Sequence, residues 1–326
     1  MRPPGARLRI GTRGSALALW QTERVRSLLR ALGYETERVE IKTTGDLTPD
    51  VPLARIGSRA LFTKQIDDAL LEHRIDLAVH SLKDLSTELP PGIIIAAVSE
   101  REDARDALVG RNPMRWSDLP EGAVIATSSV RRRAQLLNSR RDLRIVDIRG
   151  NVDTRLAKLD ARPEWSGIVL ATAGLVRLGL AGRIGERLPP EVMLPAPGQG
   201  ALAVTVRYDE PEVRRAVHDA VHHAATSVEV AAERAFLRRL EGGCQVPVAA
   251  LAELEGTSPR LRLRLRGRVI SLGGERAVEG DEAGTAADEA AAAALGNVLA
   301  ERLLGQGAGA ILAEVRKTAA PSIPEP

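Results

Sequence analysis

From Arg131 to Arg155 the chain carries eight arginines against three aspartates, a local excess larger than the net +3 of the whole 326-residue molecule. Residues 124–126 read as a strand, Thr127, Ser128 and Ser129 as a turn with capping hydroxyls, and Val130 onward as a helix. Arg131 and Arg132 therefore fall in a first helical turn, where the macrodipole disfavours cations by roughly 0.3–1 kcal/mol. Free backbone N–H groups, three small hydroxyls and two guanidiniums together make an anion site. Arg149-Gly150-Asn151 repeats the arrangement at the next strand end, with Arg155 about one turn into the following helix. A guanidinium fork suits a carboxylate or phosphate better than an ammonium does. The bland alternative is a solvated basic helix that tolerates its own repulsion.

The N-terminal part has a matching junction. Leu8-Arg9-Ile10 runs into Gly11-Thr12-Arg13-Gly14-Ser15, a strand passing through a polar turn to a helix with Arg13 at the join. Leu77-Ala78-Val79-His80 ends in Ser81-Leu82-Lys83-Asp84. Lys83 and Asp84 are either a surface pair worth under ~1 kcal/mol or, in a cleft lined by arginines, a lone acid facing a positive wall. A carboxylate so placed shuttles a proton or stabilises a transient cation. Cys244 follows two glycines in Glu241-Gly242-Gly243-Cys244-Gln245-Val246-Pro247, which favours a tight loop exposing the sulfur over a small buried hydrophobe. His218 and His222 have the i, i+4 spacing of a metal pair, but no third ligand stands at diagnostic spacing, so no metal is expected.

Apolar runs at 8–11, 37–42, 77–80, 93–98, 124–126, 145–147, 168–171 and 201–207 read as strands. Helical spacing lies between them at 16–32, 63–72, 130–138, 151–160 and 172–178. This alternation predicts mostly parallel sheets with covered faces, whose ligands gather beyond the carboxyl ends of the strands. Charged residues 100–106 and the Pro-rich stretch after Leu188 are read as breaks. Later, 227–240 and 286–304 read as helices, 245–254 and 261–270 as strands, and 321–326 as a frayed tail. Leu261-Arg262-Leu263-Arg264-Leu265-Arg266 alternates strictly, which predicts a solvated arginine face on a sheet. The expected class is α/β: two blocks flanking a cleft, plus a smaller C-terminal α+β domain. The boundaries are placed at 1–100 with 198–218, 101–197, and 219–326.

Composition narrows the function. Hydrophobic residues at 44% and charged residues at 27% exclude a largely disordered chain. No apolar run approaches a membrane span, and the N-terminus shows no secretory apolar segment, so a cytoplasmic protein is expected. One cysteine excludes an intrachain disulfide. Aromatics at 2% argue against a nucleic-acid stacking platform, and the charge is too balanced for a nucleic-acid binder. A non-catalytic binder of a small polyanion is the strongest rival, and the state of Cys244 discriminates: a binder leaves the thiol free.

Several segments, in order, resemble the porphobilinogen deaminase (hydroxymethylbilane synthase) family. They are Arg13-Gly14-Ser15-Ala16-Leu17-Ala18-Leu19-Trp20-Gln21, Ala78-Val79-His80-Ser81-Leu82-Lys83-Asp84, Thr127-Ser128-Ser129-Val130-Arg131-Arg132 and Gly150-Asn151-Val152-Asp153-Thr154-Arg155-Leu156. Leu175-Val176-Arg177-Leu178-Gly179-Leu180, Pro195-Ala196-Pro197-Gly198-Gln199-Gly200-Ala201 and the Gly-Gly-Cys loop continue the series. The resemblance is dense over residues 7–255. It implies two domains similar to type II periplasmic binding proteins and a third carrying Cys244. It further implies a dipyrromethane cofactor in thioether linkage to Cys244, priming the addition of porphobilinogen units with loss of ammonia and release of hydroxymethylbilane. On that resemblance Asp84 stabilises an azafulvenium-like cation. Arg13, Arg131, Arg132, Arg149, Arg155 and Arg177 pair with acetate and propionate groups. Ser15, Gln21, Ser81, Lys83, Thr127, Ser128, Ser129, Gly150 and Gln199 complete the binding surface. A monomer that passes its product to uroporphyrinogen-III synthase is expected, with no nucleic acid, membrane or metal. Residues 47–61, with Arg55 and Arg59, are expected to close over the cleft as a lid. Ala104 and Ser86 stand where the family often has proline, which bears on hinge stiffness alone.

Overall fold

The computed structural model describes residues 7–43, 63–240, 246–256 and 262–319. Cys244 and the expected lid at 47–61 lie outside the described residues.

The first sheet has the order β2-β1-β3-β10-β4, built from β1 (Leu8–Thr12), β2 (Thr36–Glu40), β3 (Leu77–Ser81), β4 (Ile93–Val98) and β10 (Leu202–Arg207). β1 pairs in parallel with β2 and β3, while β10 runs antiparallel to both β3 and β4. The second sheet repeats this plan as β7-β6-β8-β5-β9, from β5 (Asp106–Val109), β6 (Val124–Ala126), β7 (Arg144–Val146), β8 (Gly167–Ala171) and β9 (Glu186–Arg187). Here β6 is parallel to β7 and β8, and β5 is antiparallel to β8 and β9. In each sheet the antiparallel strand arrives from the other sheet. The chain crosses once between β4 and β5 and returns between β9 and β10. Each sheet thus holds a strand that the other block delivers, and the two crossover segments lie side by side.

Helices follow the strands as the spacing predicts. α1 (Ala16–Ala31) buries Val25 and Leu29 on the first sheet, beside Val213, Val217 and Val221 of α6 (Pro211–Val221). α2 (Lys64–Leu71) buries Ile66 and Leu70 with Ile75 and Ala78. On the second sheet, α3 (Val130–Ser139) packs Leu136 against Ile125 and Val169. α4 (Val152–Asp160) packs Leu156 and Leu159 on the opposite face, with Ile168 and Trp165, and α5 (Thr172–Arg177) continues from β8.

The third unit is an antiparallel sheet of β11 (Val248–Glu255), β12 (Arg262–Ile270) and β13 (Ala277–Gly284). It is covered by α7 (Ala224–Arg239), α8 (Glu289–Leu303) and α9 (Gly309–Ala319), around Phe236, Leu263, Leu265 and Leu299. Phe236 lies directly over Gly267, where an added Cβ would come within 2.6 Å of the ring. The arginine face of β12 differs from expectation. Arg264 is exposed, but Arg268 is largely covered and donates to the Glu191 carbonyl at 3.3 Å and to Gln135 at 3.2 Å. Arg266 pairs with Glu191 at 3.0 Å. Alternation correctly separates the two faces of the strand, yet it cannot reveal that the polar face is a docking surface for the second block.

Candidate anion-binding site at the junction of the two sheets

The parallel strands β1, β3, β6 and β7 discharge their carboxyl ends into polar turns, and β8 runs directly into α5. Ser15 and Ser129 act as N-caps, accepting from Ala18 N and Arg132 N, each at 3.4 Å. Ser128 links adjacent strand ends by donating to the Ile148 carbonyl at 2.8 Å and accepting from Ile148 N at 3.1 Å. Thr127 is buried, and its hydroxyl accepts from Ser129 N at 3.2 Å. Gln21, also buried, donates to Ser81 at 2.8 Å. Gly150 adopts φ +113°, and a Cβ there would sit 2.7 Å from Thr154. That left-handed turn delivers the Gly150 carbonyl to the Arg155 Nε at 2.8 Å.

Arg131 and Arg132 are each 6% exposed, a burial that needs a counter-charge. Asp106, on β5 and wholly buried, supplies it. Arg131 Nη2 lies 2.8 Å from Oδ2, and Arg132 reaches Oδ1 through Nη2 at 2.7 Å and Nε at 3.1 Å. Each guanidinium also donates to a carbonyl: Arg131 to Leu194 at 2.7 Å and Arg132 to Val169 at 2.9 Å. Burial pushes the Asp106 carboxyl up, but Arg131, Arg132 and Lys83 outweigh it and hold it down at about 2. Its contribution to stability is therefore present above the ordinary carboxylate range and disappears as pH falls through about 2. Asp106 lies in the charged stretch that the sequence presented as a break. Its one available signal was the short apolar run Ala107-Leu108-Val109 behind it.

Lys83 and Asp84 sit on a single 3-10 turn, Leu82–Asp84, at the end of β3. Lys83 Nζ donates to Gln199 Oε1 at 3.1 Å. Burial lowers its ammonium to about 8, with Asp84 and Asp106 pulling it up and Arg132 and Arg131 pushing it down. Asp84 is exposed and accepts no hydrogen bond from the described residues. Arg155 is lowered to about 10 by burial and by Arg132 and Arg149, against the raising effect of Asp84. Asp84 is thus electrostatically coupled to a cation on its own turn and to one from the second sheet. Arg149 is half-buried and faces a cavity of about 440 Å³ together with Arg144, Lys158 and Arg162. Arg177 donates to the Gly200 carbonyl at 2.5 Å and lies 5.7 Å from the Trp20 ring, joining α5 to α1 and the returning crossover. Arg13 lies close enough to buried His80 to help burial depress that imidazole to about 4, so His80 is neutral and bonds Thr205 at 3.0 Å.

Lys83, Arg131, Arg132, Arg149 and Arg155 crowd this junction against Asp84 and Asp106, and burial and mutual repulsion depress the proton affinity of Lys83, Arg131 and Arg155. Such a cluster is relieved by bound anions, and a compact group bearing several carboxylates suits it. Among the described residues there is no cluster of three or more metal-ligating side chains, and no helix is long and apolar enough to cross a membrane.

Fold and site define a two-block α/β protein whose sheets meet at a cationic junction beside an exposed acid. The chain matches the family described as "Porphobilinogen deaminase, dipyromethane cofactor binding domain" over residues 8–215, and that described as "Porphobilinogen deaminase, C-terminal domain" over residues 227–305. A porphobilinogen deaminase of Rubrobacter xylanophilus is 51% identical over 313 residues, covering 95% of this chain and 98% of that one. One of Geotalea uraniireducens is 48% identical over 310 residues, covering 94% of each. A periplasmic substrate-binding protein of Coxiella burnetii superposes with a TM-score of 0.42 at 16% identity, covering 64% of this chain and 90% of its own. The chain belongs to the porphobilinogen deaminase family, and its activity is the transferase reaction that condenses porphobilinogen to hydroxymethylbilane in tetrapyrrole synthesis.

Proposed function

We propose that Asp84 is the catalytic carboxylate of this condensation, and that the cations around it hold the carboxylates of substrate and cofactor. The observation that carries this reading is the coupling of exposed Asp84 to Lys83 and Arg155, one cation from each sheet. Positive charge develops on the substrate as ammonia departs, and a fixed carboxylate in a partly dewatered junction stabilises it more than water does. Asp84 also accepts hydrogen bonds from pyrrole N–H groups. Lys83, Arg13, Arg149, Arg155 and Arg177 pair with acetate and propionate groups, while Arg131 and Arg132, balanced by one carboxylate between them, retain a net positive charge toward the same ligand. Ser15, Ser81, Thr127, Ser128, Ser129, Gln21, Gly150 and Gln199 shape the turns that carry these cations.

Cys244 carries the dipyrromethane through a thioether, a reading that the Gly-Gly-Cys sequence and the match to the family's cofactor-binding domain support. When bound, that group supplies the pyrrole carbon that the incoming substrate joins. The domains divide at 1–100 with 198–218, 101–197 and 219–326, a division supported by the two strand crossovers. The protein acts as a cytoplasmic monomer and hands its labile product to uroporphyrinogen-III synthase.

Intact-mass measurement tests the reading. The purified chain should carry the added mass of two pyrrole units, and Cys244→Ser should show the bare polypeptide mass and no turnover. A bare mass for the unaltered chain, with no ammonia released from porphobilinogen, would falsify it. Arg149→Lys should raise KM for porphobilinogen about tenfold, because a point charge replaces a bidentate fork. An unchanged KM would remove Arg149 from carboxylate recognition.

A further inference from the structure

We propose that Asp106 is a positioning residue for this reaction, acting through Gln199 to fix the Lys83 ammonium beside Asp84 while it clamps Arg131 and Arg132. The inference rests on the catalytic reading above. Its geometry is a continuous hydrogen-bonded path from one sheet to the other. Lys83 Nζ donates to Gln199 Oε1 at 3.1 Å, and Gln199 Nε2 donates to Asp106 Oδ1 at 3.0 Å and to the Ala104 carbonyl at 2.7 Å. The same Asp106 oxygen receives Arg132, and its other oxygen faces Arg131.

An amide between an ammonium and a carboxylate has one satisfactory orientation, with its oxygen toward the cation and its NH2 toward the anion. Asp106 therefore sets the orientation of Gln199, and Gln199 sets the place of Lys83. Lys83 belongs to the first sheet, Gln199 to the returning crossover and Asp106 to the first strand after the outgoing one, so the path spans both crossings. A carboxylate that only balanced the arginine pair would need no bond to Gln199. Among the described residues, the charged groups acting on Lys83 include Asp84 beside it, Arg131 and Arg132 from α3, and Asp106 from β5. Losing the Asp106 charge removes an anion that helps keep Lys83 protonated.

The chain's five lysines make the test direct, since Lys83 can be followed by the 13Cε shift of labelled lysine in the intact protein and assigned with Lys83→Arg. In Asp106→Asn the Lys83 titration should move to lower pH, and KM should rise about tenfold with kcat within about twofold. Asp106→Glu should bring the titration back toward that of the unaltered chain. If Asp106→Asn does not fold, Gln199→Leu leaves the arginine pair intact and should produce the same displaced titration and raised KM. Variants that melt earlier but keep both the Lys83 titration and KM would show a purely structural carboxylate and overturn the proposal. The titration needs no substrate, so it decides the role of Asp106 even if porphobilinogen turnover fails to appear and the catalytic reading falls.

Discussion

Asp84→Asn should give a folded protein that retains the group proposed to be linked at Cys244 and loses roughly 10²–10⁴-fold in turnover. Folding should be spared because Asp84 is exposed and accepts no hydrogen bond from the described residues, and such surface positions change stability by about 0.5 kcal/mol or less. The loss should fall on kcat if, as proposed, the carboxylate meets positive charge that is fully developed only as ammonia leaves. A second effect runs through Lys83, which Asp84 helps keep protonated. In the unaltered chain, porphobilinogen binding should weaken as pH rises through about 8 and the ammonium is lost; in Asp84→Asn that weakening should begin at lower pH. Asp84→Glu keeps the charge but displaces it by one methylene, so it should fall between the two. Steady-state kinetics across pH, with intact mass as a control for the attached group, measure all three variants. A kcat close to that of the unaltered chain in Asp84→Asn would mean that another group meets the developing charge.

Much of this site was legible because its residues are local to short segments. Ser15, Ser129 and the Lys83-Asp84 turn each lie within a few residues of a strand end, and apolar runs locate strand ends well. The long-range partners were not legible. Arg131 and Arg132 stood out as cations in a helix's first turn, an arrangement that the sequence explained by external carboxylates alone. The structure adds Asp106, 25 and 26 residues upstream, whose partnership depends on β5 lying beside β8. β5 was missed because its four residues follow a run of alternating charges, which masks so short an apolar signal. β13 was missed for a different reason: Ala277-Val278-Glu279-Gly280-Asp281-Glu282-Ala283-Gly284 has almost no apolar content, because an edge strand facing paired arginines buries little.

The same division explains what the crossovers do. Periodicity predicted two α/β blocks but could not say that each sheet completes itself with a strand from the other. Once that exchange is made, segments 98–106 and 187–202 must run together, and polar backbone groups in both need partners where water is excluded. Arg101 and Glu233 supply them. Arg101 Nε donates to the Gln199 carbonyl at 2.9 Å, and Glu233 Oε2 accepts from Gly198 N at 2.6 Å. Glu233 belongs to α7, so the third unit is fastened to both crossings at the point where Gln199 reaches Lys83. Neither residue carries a sequence signal, since each reads as one more charge in a charged chain.

Glu233→Ala should therefore be among the most destabilising single changes in the molecule, at about 3–5 kcal/mol. Its carboxylate is fully buried and accepts four hydrogen bonds: two from Arg101, at 2.7 and 3.1 Å, one from Gly198 N at 2.6 Å and one from Ala252 N at 2.8 Å. Burial alone would depress the Arg101 guanidinium, and Glu233, with smaller contributions from Glu229 and Glu253, lifts it above its ordinary value. Removing the carboxylate leaves a buried guanidinium that cannot shed its proton with only the more distant Glu229, at 3.9 Å, and leaves two backbone N–H donors unpaired. Glu233→Gln should be little better, because it removes the charge and turns an NH2 toward groups that are all donors. Arg101→Met combined with Glu233→Gln should recover a substantial part of the loss, since only Glu229, 19% exposed, is then left charged at this point. Urea unfolding of the unaltered chain, Arg101→Met, Glu233→Gln and the double variant closes the cycle. Equal midpoints for the unaltered chain and Glu233→Ala would show that water reaches this junction and that the crossovers are held by apolar packing instead.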